Sequence, residues 1–253
     1  MKYTFLIAAM AAPLLPGTAL AQSGPSLSFA AGIGGNYQPE YFGSDDYDAG
    51  VTGGFKFGHL RIGRLEFGDP DPNAVDLGWR PRGSLRLIGK RDSSDHVELT
   101  GLRDVDFSVE IGGGVGYTAE NFQAFADVRY GVIGHESWVG ELGADAIFRP
   151  SEDWTVTVGP RALWGSDDYA STYFGVTPAE ATLSAFPAYA PGSGLVSAGI
   201  EVGAQYELSR NWYLDGTLAW NRYVGDAADS PIVQDDDSFT ASLVVMRRFN
   251  FGR

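Results

Sequence analysis

The chain alternates apolar and polar positions with a period of two, stretch after stretch. Over 122–132 one face carries Phe122, Ala124, Ala126, Val128, Tyr130 and Val132, and the other carries Gln123, Asp127 and Arg129. Over 154–164, Trp154, Val156, Val158, Pro160, Ala162 and Trp164 oppose Thr155, Thr157, Gly159, Arg161 and Leu163. Over 212–223, Trp212, Leu214, Leu218 and Trp220 oppose Tyr213, Asp215, Thr217 and Asn221. Near the C-terminus, Phe239, Ala241, Leu243, Val245 and Phe249 oppose Thr240, Ser242 and Arg248. In a strand, successive side chains point to opposite faces, so each stretch predicts a strand with one apolar and one polar face.

Length and edge composition then narrow the class. These stretches run about 10–14 residues, against the usual 5–6 of a soluble sheet. Aromatics border several apolar faces: Trp154 and Trp164, Trp212 and Trp220, Phe239 and Phe249. A strand that crosses a bilayer needs an apolar band edged by interfacial Trp, Tyr or Phe, and a lumen needs the polar face. The predicted fold is all-β, a transmembrane antiparallel up-and-down barrel. Its strands fall at 27–37, 49–57, 60–67, 74–80, 83–91, 104–117, 121–132, 138–149, 153–164, 195–208, 211–223 and 238–249. That is twelve, or ten if 60–67 and 74–80 drop out. Tight connections at 118–121, 149–153 and 208–211 alternate with others at 134–137, 165–194 and 225–237. Short periplasmic turns and long outer loops have that pattern. Helical periodicity is confined to 178–183, enough for one or two turns inside a loop.

The first residues are read as processing signal and not fold. Lys2, the apolar run Phe5 to Leu15 and the A-x-A site Ala19-Leu20-Ala21 predict a cleaved signal peptide over 1–21. The remainder, 22–253, is expected to form a single barrel domain in the cell outer membrane. Without Lys2 the balance is 17 basic against 32 acidic residues, a net of −15. That excess argues against nucleic acid as a partner and against tight docking on anionic lipid. There is no cysteine, so disulfide staples play no part.

Candidate chemistry is sparse. The pentapeptide GSDDY occurs twice, at Gly43, Ser44, Asp45, Asp46, Tyr47 and at Gly165, Ser166, Asp167, Asp168, Tyr169. Both copies follow upward strands in the predicted topology, so they are expected to open two outer loops. Adjacent aspartates in one loop supply two or three of the six to eight oxygens calcium takes, so two loops would have to converge, and solvated turns are preferred to a metal site. Asp235-Asp236-Asp237 reads the same way. His135-Glu136-Ser137 raises a lipid or ester hydrolase, a weaker alternative, since consecutive strand residues face opposite ways. HExxH, P-loop and GxSxG are absent, so no cofactor is expected. Gly112-Gly113-Gly114 lies within a strand and reads as close packing or a bend. The inward faces carry Asp106, Glu110, Asp127, Arg129, Asp145, Arg161, Glu201 and Asp215. Such a lumen is either closed by ion pairs or a narrow polar passage. Loop 165–194, with Phe174, Phe186 and Tyr189, is a candidate plug.

The strings Pro39 to Tyr47, Gly159-Pro160-Arg161, Thr172-Tyr173-Phe174-Gly175-Val176-Thr177-Pro178, Phe186-Pro187-Ala188-Tyr189 and Gly225 to Val233 span nearly all of the chain after the signal. In them the chain resembles the MltA-interacting protein (MipA/OmpV) family of outer-membrane proteins. The resemblance implies a barrel in the outer-membrane lipid bilayer, without an enzymatic residue set. It also implies a scaffolding role between a murein transglycosylase and a murein synthase, or alternatively a channel or uptake pore for small polar solutes. The barrel assembly machinery would read a terminal aromatic. Phe249 fits that role, yet Asn250-Phe251-Gly252-Arg253 follow it, which leaves Phe251 as a second candidate.

Overall fold

A computed structural model describes residues 24–68 and 77–252. The predicted signal peptide lies outside them, as do residues 74–76 of the expected strand 74–80. Eleven antiparallel strands make one curled sheet: β1 (Ser26–Pro39), β2 (Tyr47–Ile62), β3 (Leu65–Gly68), β4 (Gly78–Ile88), β5 (Ser108–Thr118), β6 (Phe122–Ile133), β7 (Trp138–Ser151), β8 (Trp154–Gly165), β9 (Gly194–Ser209), β10 (Trp212–Tyr223) and β11 (Asp237–Phe251). Their order is β3-β2-β1-β11-β10-β9-β8-β7-β6-β5-β4. The first and last strands are hydrogen-bonded from Leu27↔Phe251 to Tyr37↔Ala241. Two helices, α1 (Asp167–Phe174) and α2 (Pro178–Ala181), sit in the β8–β9 loop. Among the described residues, no helix is long and apolar enough to cross a membrane.

The alternation read from the sequence sets which face is which. On β6, Phe122, Val128 and Val132 are exposed on the outer surface, while Asp127 and Arg129 are buried inside the curl. Trp154, Trp164, Trp212, Leu218, Phe239 and Leu243 are likewise exposed. An outer surface this apolar is what lipid contact requires.

The first half of the sheet departs from the expected strands. The expected strand 60–67 contains a turn: β2 ends at Ile62, Gly63 takes φ +63, and Leu65 pairs back on Ile62. A two-residue hairpin with glycine at its first central position suits the sheet's twist. The expected strands 74–80 and 83–91 are not separate, because β4 runs unbroken through Pro81. Pro81 lacks an N–H, but among the described residues β4 is a margin strand paired with β5, and sheets tolerate proline on such strands. The described strands therefore number eleven, and β3 and β4 point the same way. Asp106 lies before β5, which starts at Ser108 and not at 104.

Among the described residues, all turns at one end are short. Residues 63–64, 119–121, 152–153 and 210–211 lie there, beside the start of β1 and the end of β11. The opposite end carries 40–46, 89–107, 134–137, 166–193 and 224–236. β11 continues through Phe251, which stacks with Phe29 at 6.0 Å and with Phe249 at 6.5 Å. The four residues after Phe249 thus begin as strand, in the same phase.

Candidate functional site

Three layers fill the curl. Nearest the short turns, Tyr213, Ala30, Val244 and Met246 form a buried cluster. Arg248 lies 4.7 Å over the Tyr213 ring and is paired with Glu207. Lys56 reaches Gln205 at 3.4 Å, and Asp215 sits within the field of Lys56.

The middle layer is ionic. Arg161 donates to Asp145 at 2.8 Å and to Glu201 at 2.9 Å, and Gln123 donates to Asp145 at 2.7 Å. Arg82 pairs with Asp127 at 3.1 Å and stacks on Phe125 at 4.0 Å. Arg129 spans Glu110 at 2.8 Å and Glu141 at 2.7 Å, with the Ser84 hydroxyl at 3.1 Å. Every one of these side chains points inward by strand parity. Burial of Asp127, Arg129 and Asp145 makes a partner of opposite charge necessary for each, and the layer supplies it.

Glu110 is the hub. It is fully buried and faces Arg129, Arg86 at 3.8 Å, and His135 Nε2 at 3.2 Å. The ladder shifts between Val109 and Glu110, so that Glu110 stands opposite Gly131. A Cβ on Gly131 would come within 2.4 Å of the His135 ring, so glycine leaves the space into which that ring folds. Ser137 closes the chain of contacts: its hydroxyl is 2.6 Å from His135 Nδ1, and its backbone N–H donates to the same nitrogen at 3.2 Å. With Nδ1 so occupied, Nε2 carries the ring proton and donates to Glu110. Serine, histidine and carboxylate therefore stand in series, with Glu110 and not the exposed Glu136 as the acid. Both His135 and Ser137 are buried, and neither lines the cavity beside α1.

Above this layer lies α1. Tyr169, Tyr173 and Phe174 point down and are buried with Ile88, Val139, Val196 and Tyr223. Phe42 from the β1–β2 loop meets Tyr173 edge-on at 4.9 Å. The Tyr173 hydroxyl donates to Ser108 at 3.1 Å, and Arg91 donates to the Tyr173 carbonyl at 3.0 Å. Burial pushes the Tyr169 and Tyr173 hydroxyls above the ordinary tyrosine range, so both stay protonated. α2 is fixed by a capping box: the Thr177 hydroxyl accepts from the Glu180 N–H, and Glu180 accepts from the Thr177 N–H. Burial raises the Glu180 carboxyl, but bonds from the Thr177 hydroxyl and the Arg103 and Thr177 N–H groups outweigh it and hold the group low. Between α1, the β1–β2 loop and the top of β4 lies a cavity of about 330 Å³.

Both GSDDY copies lie at the long-loop end, but only the second opens its loop: the first closes the β1–β2 loop, with Tyr47 already the first residue of β2. In the first, Ser44 accepts from the Asp46 N–H at 3.1 Å, a local turn, and Tyr47 stacks on Tyr37 at 5.3 Å. In the second, Ser166 precedes α1, Asp167 and Asp168 form the helix's first turn, and Tyr169 is buried. Asp45, Asp46, Asp167 and Asp168 are exposed, and the described residues contain no cluster able to hold a metal ion. Asp237 accepts from the Trp220 indole at 3.0 Å, which ties the acidic run to β10. Seven of the eight expected lumen charges face inward: Glu110, Asp127, Arg129, Asp145, Arg161, Glu201 and Asp215. Asp106 is exposed outside the strand and is not a lumen group. Arg82, Arg86 and Glu141 were not expected in the lumen. Period two through Pro81 would have found the two arginines.

The family model described as MltA-interacting protein MipA matches residues 31–249. The MltA-interacting proteins of Escherichia coli (strain K12) and Shigella flexneri are each 33% identical over 89 residues. That segment is 35% of this chain and 35% of each relative, so the match spans about a third of their length. Among solved structures, the outer-membrane channel DcaP of Acinetobacter baumannii aligns at 9% identity and a TM-score of 0.38, over 93% of this chain and 100% of that one. An outer-membrane channel of Pseudomonas putida F1 aligns at 14% and 0.42, over 94% and 100%.

Proposed function

Because the chain belongs to the MltA-interacting protein MipA family, we propose that it is an exported outer-membrane barrel with a closed lumen, acting as a scaffold and not as an enzyme. Its short turns would face the periplasm and dock a murein transglycosylase, in line with the name of the relatives, MltA-interacting protein. The observation that carries the reading is the seating of α1. Tyr169, Tyr173 and Phe174 occupy the mouth above an ion-paired layer, which supports a barrel that works through its surface. The signal over 1–21 and insertion by the barrel assembly machinery belong to the same proposal.

Photo-crosslinkers at Glu120, Asp153 and Arg210, in the short turns, test it in the living envelope. Adducts with a murein transglycosylase from these sites, and none from Asp46 or Asp168, are expected. Adducts only from the long-loop end would overturn the orientation, and none from either end would remove the scaffold. A second reading, a narrow channel for small polar solutes, draws on the charged inner face. It requires conductance from the intact barrel in planar bilayers, and silence rejects it.

A further inference from the structure

By strand parity, few charged side chains reach the outward face of the sheet. Arg222 and Asp237 do so at the long-loop end, where they pair with each other at 3.5 Å. Arg149 lies past the irregularity at the foot of β7 and donates to the Glu120 carbonyl at 2.8 Å. Arg247 stands on the outward face of β11, between Val245 and Phe249, while Val244 and Met246 are buried inside. It is exposed, and among the described residues it meets no carboxylate. Its guanidinium lies 5.3 Å from the Trp212 ring and 5.1 Å from the Phe249 ring. Two cation–π contacts hold the group in place without neutralising it.

The surroundings say what completes the site. Trp212 is the first residue of β10 and the ladder partner of Arg247, so the guanidinium sits at the level of the short turns. Aromatic side chains at that level mark the headgroup region, where an outward arginine costs little; at the midplane it costs much more. On the β1 side the ladder partner is Ala31, whose methyl leaves that flank of the guanidinium uncovered. Beyond it, Phe29 lies 5.2 Å from Phe249 and 5.8 Å from Phe55, an apolar floor continuous with the arginine. The anion found at this depth, with a long apolar body attached, is a lipid phosphate. The planar guanidinium fork matches two phosphate oxygens. We propose that Arg247, Trp212 and Phe249 form a binding site for the phosphate of a membrane phospholipid, whose acyl chains lie over Phe29 and Phe55. The proposal rests on the outer face being the lipid-facing one.

The refolded full-length barrel is first inserted into phospholipid vesicles. Failure to insert would sink the lipid-facing reading itself. The inserted barrel is then extracted in detergent and titrated with phosphatidylglycerol under native mass spectrometry. Diacylglycerol of the same chains and free glycerol phosphate are the controls. One phosphatidylglycerol per barrel is expected, held more tightly than either control. Arg247→Gln should weaken it about tenfold or more and leave diacylglycerol unchanged. Arg222→Gln, at the other end, should leave both unchanged. If Arg247→Gln does not refold, Arg247→Lys decides: it keeps the charge, loses the fork and should still weaken binding about threefold. Equal retention of diacylglycerol, equal binding of glycerol phosphate, or unchanged affinity in the Arg247 variant overturns the proposal.

Discussion

Glu110 shows how one buried carboxylate organises its neighbours. It is fully buried and faces Arg129, Arg86 and His135 together. Removing it by Glu110→Ala leaves the buried Arg129 with Glu141 alone and takes away the carboxylate that faces Arg86 and His135. The expected loss is about 3–5 kcal/mol, read as an earlier midpoint when the refolded barrel is unfolded in urea. Ser137→Ala should lose about 1 kcal/mol at most, since only a neutral hydrogen bond goes. Gly112 marks a different constraint. A Cβ there would stand 1.9 Å from the Val128 carbonyl oxygen, so the glycine run reads as close packing, as its place in a strand suggested. The sequence made Glu110 and Arg129 visible as inward charges because period two is strict. It hid the link from His135 to Ser137, since the two meet in a tight loop where strand parity does not apply, and the acid that completes the series lies on another strand.

The strands and helices differ in how well sequence reveals them. β6, β8, β10 and β11 follow the alternation almost to the residue, because one face meets lipid and the other meets charge. β2, β3 and β4 do not, because glycine and proline were read as strand interior and as turn, and each occurs here as the other. α1 was concealed by its own first turn: Ser166-Asp167-Asp168 suits a helix start as well as a loop turn. On the outer face, Leu218 lies near the middle of β10 and is exposed. Leu218→Arg should cost about 2–4 kcal/mol if that position meets the bilayer midplane, and folding yields into vesicles would report it. For α2, the low Glu180 carboxyl fixes the sign of a pH effect. Its contribution is present above the unfolded carboxylate pKa of about 4.3 and lost as pH falls through the lower folded value. Proteolysis of loop 175–190 should therefore be slow at neutral pH and accelerate in acid. Glu180→Gln should cleave faster at neutral pH and show little of that dependence.

Among the described residues, the sheet places the short turns, the start of β1 and the end of β11 at one end, and α1 with the long loops at the other. If α1 is what closes the mouth, deleting residues 167–190 should convert a silent barrel into one with steady conductance in planar bilayers. Equal silence before and after the deletion would assign closure to the ionic layer of Arg161, Asp145 and Glu201 instead. The number of strands was less legible than their character, since it turned on a single turn at Gly63 and a single proline at 81. The order of the strands, by contrast, follows from hairpins alone once the first strand meets the last.

That meeting has a use. Leu27 is paired with Phe251 and Phe29 with Phe249, so a short linker could join the two terminal strands without moving either. A circular permutant cut between Arg210 and Asn211 would keep every ladder pair but would finish on β9. It would separate the information that pairs the strands from any sorting signal read at the chain's last aromatic.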